Sequence, residues 1–207
     1  MSDPSTRRFL HGAAELLLAG PQWRAGGRID LRVVEGGFAT VVAPDLRVVG
    51  GDLVTPETRI ALHGRSFTEV AAEAGIEAGA PAGVYGDGPG VGVEEVLALD
   101  PAAVAVVLRA FADGDRALRD FAPEVVPILW PEHFDVAGTL DDVDYGVSPG
   151  DGHLAEPYAY VGPFEKREGA FWNAPFGAAR PLAELGGAPA IKAFFDEGRA
   201  ASVSPAR

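Results

Sequence analysis

The longest apolar stripe in the chain begins at Asp100-Pro101, where Val104, Val107, Leu108, Phe111, Leu118 and Phe121 recur at helical spacing until Pro123. Asp at the cap, Pro in the first turn and this stripe predict one long helix over residues 101–122. Segments with a period of two lie in runs on both sides of it and do not alternate with helices. Strands that follow one another through short turns pair antiparallel, because a parallel neighbour needs a crossover of a dozen residues or more. The expected fold class is therefore α+β, a mainly antiparallel sheet system with packed helices and the long helix central.

Ahead of that helix, Phe9, Ala13, Leu16 and Leu17 form one face of a first helix, with Ser2 or Asp3 as cap, Pro4 in the first turn and Gly20-Pro21 as its stop. The pair Arg7-Arg8 invites an export-signal reading. That reading fails because Phe9 follows directly and Glu15 interrupts a short apolar run. "GGRIDLRVVEGGFATVVAP" alternates Ile29, Leu31 and Val33 with Asp30 and Arg32 and turns at Gly36-Gly37, a hairpin pattern. Further short strands are expected at Leu46 to Val49, Leu53 to Thr55 and Arg59 to His63. Ser66 and Glu69 have capping-box spacing and open a short helix that Gly75 closes.

Residues 75–92 are rich in Gly and Pro. The stretch "GVYGDGPGVGV" matches neither G-x-G-x-x-G nor a Walker A, and no lysine follows, so it reads as a turn-rich connector. One domain of 1–207 is expected, with 1–92 and 93–207 as its halves, each running helix, strands, helix. Beyond the long helix, strands are expected at Val125 to Trp130, His133 to Thr139, Asp142 to Ser148, Pro157 to Val161 and Ala170 to Asn173. Helices near Leu182 to Leu185 and from Ala190 to Arg199 close the chain.

Composition removes several functions. The chain of 207 residues has no cysteine, which excludes thiolate metal sites, disulfides and cysteine nucleophiles and fits a reducing cytoplasm. No apolar stretch approaches the length of a bilayer span. The net charge is -13. Nine acids stand against two bases between Glu132 and Glu168, so that stretch alone carries -7. A surface of this sign repels phosphate backbones and anionic lipid, so neither nucleic acid nor membrane is an expected partner.

The acidic stretch centres on "LWPEHFDVAGTLDDVDYGVSPGD", residues 129–151. Alternation along the first strand puts His133, Asp135, Ala137 and Thr139 on one side. With a loop of even length, two residues (Leu140-Asp141) or four, Asp144 faces Ala137, Gly146 faces Asp135 and Ser148 faces His133. Every acid and the histidine then share one face, and Phe134, Val136, Val143, Tyr145 and Val147 share the other. An odd loop would bury carboxylates among apolar groups.

Two readings fit that polar face. It is either the wet side of a half-buried sheet or the wall of a pocket. The crowding of acids and the aromatics nearby favour the pocket, with His133, Asp135 and Asp144 as acid/base groups. Glu132, Trp130, Tyr158, Tyr160, Trp172 and Asn173 are then the substrate-binding residues. The same His133, Asp135 and Asp144, completed by His153 or Glu156, are a donor set for a divalent metal ion. His11 and His63 read as structural, and Ser148 lacks the elbow of a hydrolase nucleophile.

At "LWPEHFD", "DYGVSPGD", "EPYAYVGPF" and "FWNAPFGAARPL" the sequence resembles an uncharacterised family of actinobacterial proteins of about this length, over most of the chain and more loosely in the first half. That resemblance implies a common origin and brings no catalytic residue, but it directs attention to the C-terminal blocks. The function expected is a cytoplasmic small-molecule-binding protein or enzyme with an acidic and aromatic pocket in the C-terminal half. The competing expectation is a non-catalytic interaction module that uses the aromatic, Pro-rich surface of residues 156–176.

Overall fold

The computed structural model describes residues 4–86 and 88–203, so the Ser2 or Asp3 cap lies outside it. The chain forms two compact units. One comprises residues up to 109 with 129–134, the other 110–128 with 135 onward.

In the first unit α1 (Pro4–Gly12) runs into a π-helical segment (Ala13–Ala19) and then α2 (Gly20–Gly26). Gly20-Pro21 does not stop the helix. The Gly20 N–H reaches the Glu15 carbonyl five residues back, a π-type bond. Such widening of the turn accommodates Pro21, which has no N–H to give and would crowd a regular α-turn. The helix ends instead at Gly27, which takes a left-handed φ of 68°.

The π segment buries Leu16, Leu17 and Leu18 against β1 (Leu31–Val34), β2 (Gly37–Thr40), β3 (Arg47–Val49) and α3 (Phe67–Glu73). β4 (Asp52–Val54), β5 (Arg59–Ala61) and β6 (Ile128–Trp130) complete the strand order β6-β1-β2-β3-β4-β5. Gln22 fixes the helix to the strand ends. Its amide donates to the Arg28 and Asp30 carbonyls and accepts from the Val41 and Val42 N–H groups. Ser66 and Glu69 form the capping box of α3.

α4 (Pro101–Phe121) is capped by the Asp100 carboxylate, which accepts from Ala102 and Ala103. The second unit holds its residues from Ala110 on. There β7 (Asp135–Leu140), β8 (Val143–Ser148), β9 (Tyr158–Pro163) and β10 (Ala178–Pro181) pair in the order β10-β9-β8-β7, every neighbouring pair antiparallel. α5 (Leu182–Leu185) leads to α6 (Ala188–Val203), which packs on β8 and β9. Gly114 lies inside the continuous helix α4. A Cβ there would lie 2.7 Å from Val136 Cγ1 and 2.8 Å from Val147 Cβ, so its absence is what lets the helix seat on these strands.

The α+β class with antiparallel strands and packed helices is thus the observed one. Among the described residues the units carry six and four strands. Ala170 to Asn173 is a loop, and the last strand comes later, at Ala178. Among the described residues no helix is long and apolar enough to cross a membrane.

Candidate functional site

The β7–β8 turn is Asp141-Asp142, one residue later than the sequence suggests, with both residues at left-handed φ of 53° and 59°. Two such residues make the type I′ geometry that matches strand twist, although neither is the glycine or asparagine that usually supplies it. Thr139 therefore faces Asp144, and Ala137 faces Gly146. The parity is as expected, so Asp135, Asp144, Gly146 and Ser148 do share a face, and β9 adds Tyr158 and Tyr160 to it.

His133 does not join them. Phe134 takes φ of 53°, residues 131–134 form a turn, and β7 starts only at Asp135, so the alternation never reaches His133. The cause is local packing. Phe134 stacks on His11 with ring centroids 5.0 Å apart and meets Phe38 edge-on. Burying that ring almost completely offsets a left-handed backbone that costs a non-glycine residue about 1 kcal/mol or more.

Groups of the polar face bond to one another. Tyr160 donates its hydroxyl to the buried Asp135, and Thr139 donates to Asp144 at 2.6 Å. Tyr158 donates to Asp151 at 2.5 Å, and that carboxylate also accepts from the His153 and Leu154 N–H groups. Burial pushes the Asp151 carboxyl up, but these hydrogen bonds and the His153 charge outweigh it and hold the group below the usual range. Burial, Asp135 and the bond to it raise the Tyr160 phenol well above its ordinary value.

Phe176 closes the cluster, with its ring 5.0 Å from His153 and 6.3 to 6.4 Å from Tyr160 and Tyr158. Tyr160 fits because Gly146 clears its ring: a Cβ there would lie 2.5 Å from Cζ.

The other candidates sit elsewhere. Trp130 and Glu132 belong to the first unit. Trp172 packs edge-on against Phe171 at 4.9 Å, and Asn173 braces its loop by two hydrogen bonds to Ala179. Among the described residues no group of three or more His, Asp and Glu is gathered to hold a metal ion, so His133, Asp135 and Asp144 do not form one. Within residues 156–176 only Phe164 and Phe176 are exposed large apolar side chains, and Tyr158 is buried.

A second cluster surrounds the first helix. His11 donates from Nε2 to the Pro131 carbonyl at 2.6 Å, and burial pushes its imidazole down to about 4, against that bond. One turn on, Glu15 is 6% exposed. Burial raises its carboxyl, partly opposed by the nearby Tyr85 hydroxyl. Glu132 Oε2 is buried in the same unit without a hydrogen-bond partner. The acid inside the apolar run "AAELLLA" was the visible sign of this cluster.

The cavity lies on the opposite face of the hairpin. A space of about 570 Å³ is bounded by the Asp141-Asp142 turn, by Pro163 to Arg167 after β9, and by Arg199, Ser202 and Val203 at the end of α6. Tyr145 lines it from β8 and is itself held by Phe121 and Phe195 rings 4.6 and 5.7 Å away. Its side chain is 1% exposed and its hydroxyl has no hydrogen-bond partner. Burial pushes that phenol up to about 12, with Arg199 opposing. Ser202 lies close enough to lower it slightly, but its own hydroxyl donates to the Gly198 carbonyl at 2.8 Å. Arg167 Nε is likewise buried and unpartnered, and Arg199 reaches Asp141 at 3.0 Å.

Sequence reasoning placed Tyr145 on the core face and passed over both arginines. The one available signal was a lone tyrosine among valines on that face. No protein-family model, curated protein or solved structure matches the chain.

Proposed function

We propose that the protein binds a small polar molecule in the C-terminal unit, in the cavity between the acidic hairpin turn and the end of α6. The observation that supports this is Tyr145, which lines about 570 Å³ of space and whose buried hydroxyl has no hydrogen-bond partner. A buried hydroxyl left unpaired lacks the hydrogen bond it would make in water, and a ligand oxygen placed against it would supply one. The volume is within the range of sites for small molecules. The polar face of the hairpin supports binding less well, because its carboxylates already hold Tyr160, Tyr158 and Thr139.

A fragment screen by ligand-observed NMR tests the reading. Hits are expected to lose binding in Ser202→Trp, which fills the cavity mouth, and to keep it in Asp144→Asn on the other face. Hits indifferent to Ser202→Trp, in a variant that melts within a few degrees of the parent, would sink the proposal.

A further inference from the structure

The walls of the cavity differ in kind with depth. Its buried part offers donors, the Tyr145 hydroxyl and Arg167 Nε, neither of which has a partner. Arg167 approaches only Glu165, at 4.0 Å, and that glutamate side chain is 87% exposed. At the mouth stand acceptors, the exposed Asp142 and Glu165, beside Asp141, which Arg199 occupies.

Neither simple charge suits this lining. Three carboxylates against two guanidinium groups repel a plain anion at the entrance. A plain cation would be drawn to the mouth but would leave the inner donors unpaired. Val143, Pro163, Phe164 and Val203 give the space an apolar side as well.

Resting on the binding site proposed above, we propose that its ligand is a zwitterion of amino-acid or dipeptide size. The carboxylate goes inward to Arg167 and Tyr145, the ammonium outward to Asp142 and Glu165. Arginine's fork suits a carboxylate, and the phenol supplies a further donor to the same oxygens. Selectivity follows from both ends, because a molecule lacking either charge leaves one set of groups unpaired.

Calorimetric titration of the full chain tests this with alanine, phenylalanine, alanylalanine and alanylphenylalanine, each beside its N-acetylated and its C-amidated form. At least one zwitterion is expected to bind, and either modification is expected to weaken it tenfold or more. Arg167→Gln should weaken the zwitterion tenfold or more. Asp142→Asn should weaken the zwitterion but not its N-acetyl form, and thermal melts verify that both variants fold.

Equal binding of the N-acetyl form would overturn the zwitterion assignment while leaving a small-molecule site in place. So would fragment hits that compete at the cavity while all four zwitterions fail. If neither fragments nor zwitterions bind, the binding reading falls together with the inference.

Discussion

On one face of the β7–β8 hairpin Asp135, Asp144 and Asp151 each hold a hydroxyl donor. On the other, Tyr145 is packed as tightly as any core side chain and its hydroxyl is left without a partner. The sequence makes the first face look like a site, because that is where the charges are. The acids there act as acceptors, two of them for the phenols of Tyr158 and Tyr160 and one for the exposed Thr139 hydroxyl. Unmet hydrogen-bonding capacity is the better sign of a ligand, and it lies where the strand looks apolar.

The largest effect expected from breaking the tied face is at Gly146. Gly146→Ala sets a methyl group 2.5 Å from the Tyr160 ring. The ring must move, and the donor to Asp135 moves with it. Overpacking and the lost bond together should cost about 3 kcal/mol, read as a fall in the urea midpoint with little change in slope. Tyr160→Phe isolates the second part, leaving Asp135 without that phenol. A loss of about 1–3 kcal/mol is expected at neutral pH. A change within error would mean that the bond contributes nothing and that the polar face is merely wet.

Asp151 gives the tied face a pH dependence. Its carboxyl is held below the usual range, so the unfolded chain takes up the proton first as pH falls. The stability it contributes is present above the unfolded pKa of about 3.9 and is lost as pH falls through the lower folded value. Asp151→Asn should therefore be less stable than the parent near neutrality and converge on it in acid. Parallel urea curves at all pH values would show that Tyr158 and the two N–H groups do not hold a charge there.

How far these faces were legible depends on backbone conformation more than on residue type. Alternation along Asp135 to Ser148 sorted Asp135 and Asp144 from the valines correctly, because a strand's period of two survives a shift of two in register, but Asp142, expected on the same face, sits in the turn and lines the cavity on the other side. The shift itself went unseen because two aspartates, not an Asn-Gly pair, take left-handed φ at the turn. His133 was misplaced for a related reason. Nothing local marks Phe134 for φ of 53°, since the gain comes from His11 and Phe38, both remote in sequence. Arg167 and Arg199 came from a loop and a helix end, where no periodicity exists to place them.

The turn joining the two faces offers a gain in place of a loss. Asp142 sits at φ of 59°, where a Cβ is disfavoured by about 1 kcal/mol and glycine is not. Asp142→Gly should raise stability by about 0.5–1 kcal/mol in thermal melts. The same change removes a carboxylate from the cavity mouth, so higher stability with weaker zwitterion binding is the expected pair of outcomes. The presence of a strained aspartate at this position would then be explained by the cavity and not by the fold.

The smallest effect separates the two faces most cleanly. Tyr145→Phe deletes a hydroxyl that makes no hydrogen bond and keeps the ring between Phe121 and Phe195. On the tied face the equivalent deletion strands an acceptor. Here it relieves an unsatisfied buried donor, so stability should stay within about 0.5 kcal/mol of the parent, on the stabilising side. A loss of 1 kcal/mol or more would mean that Ser202 does accept from Tyr145 in solution. In that case both faces would be closed networks, and the argument for a ligand would rest on Arg167 alone.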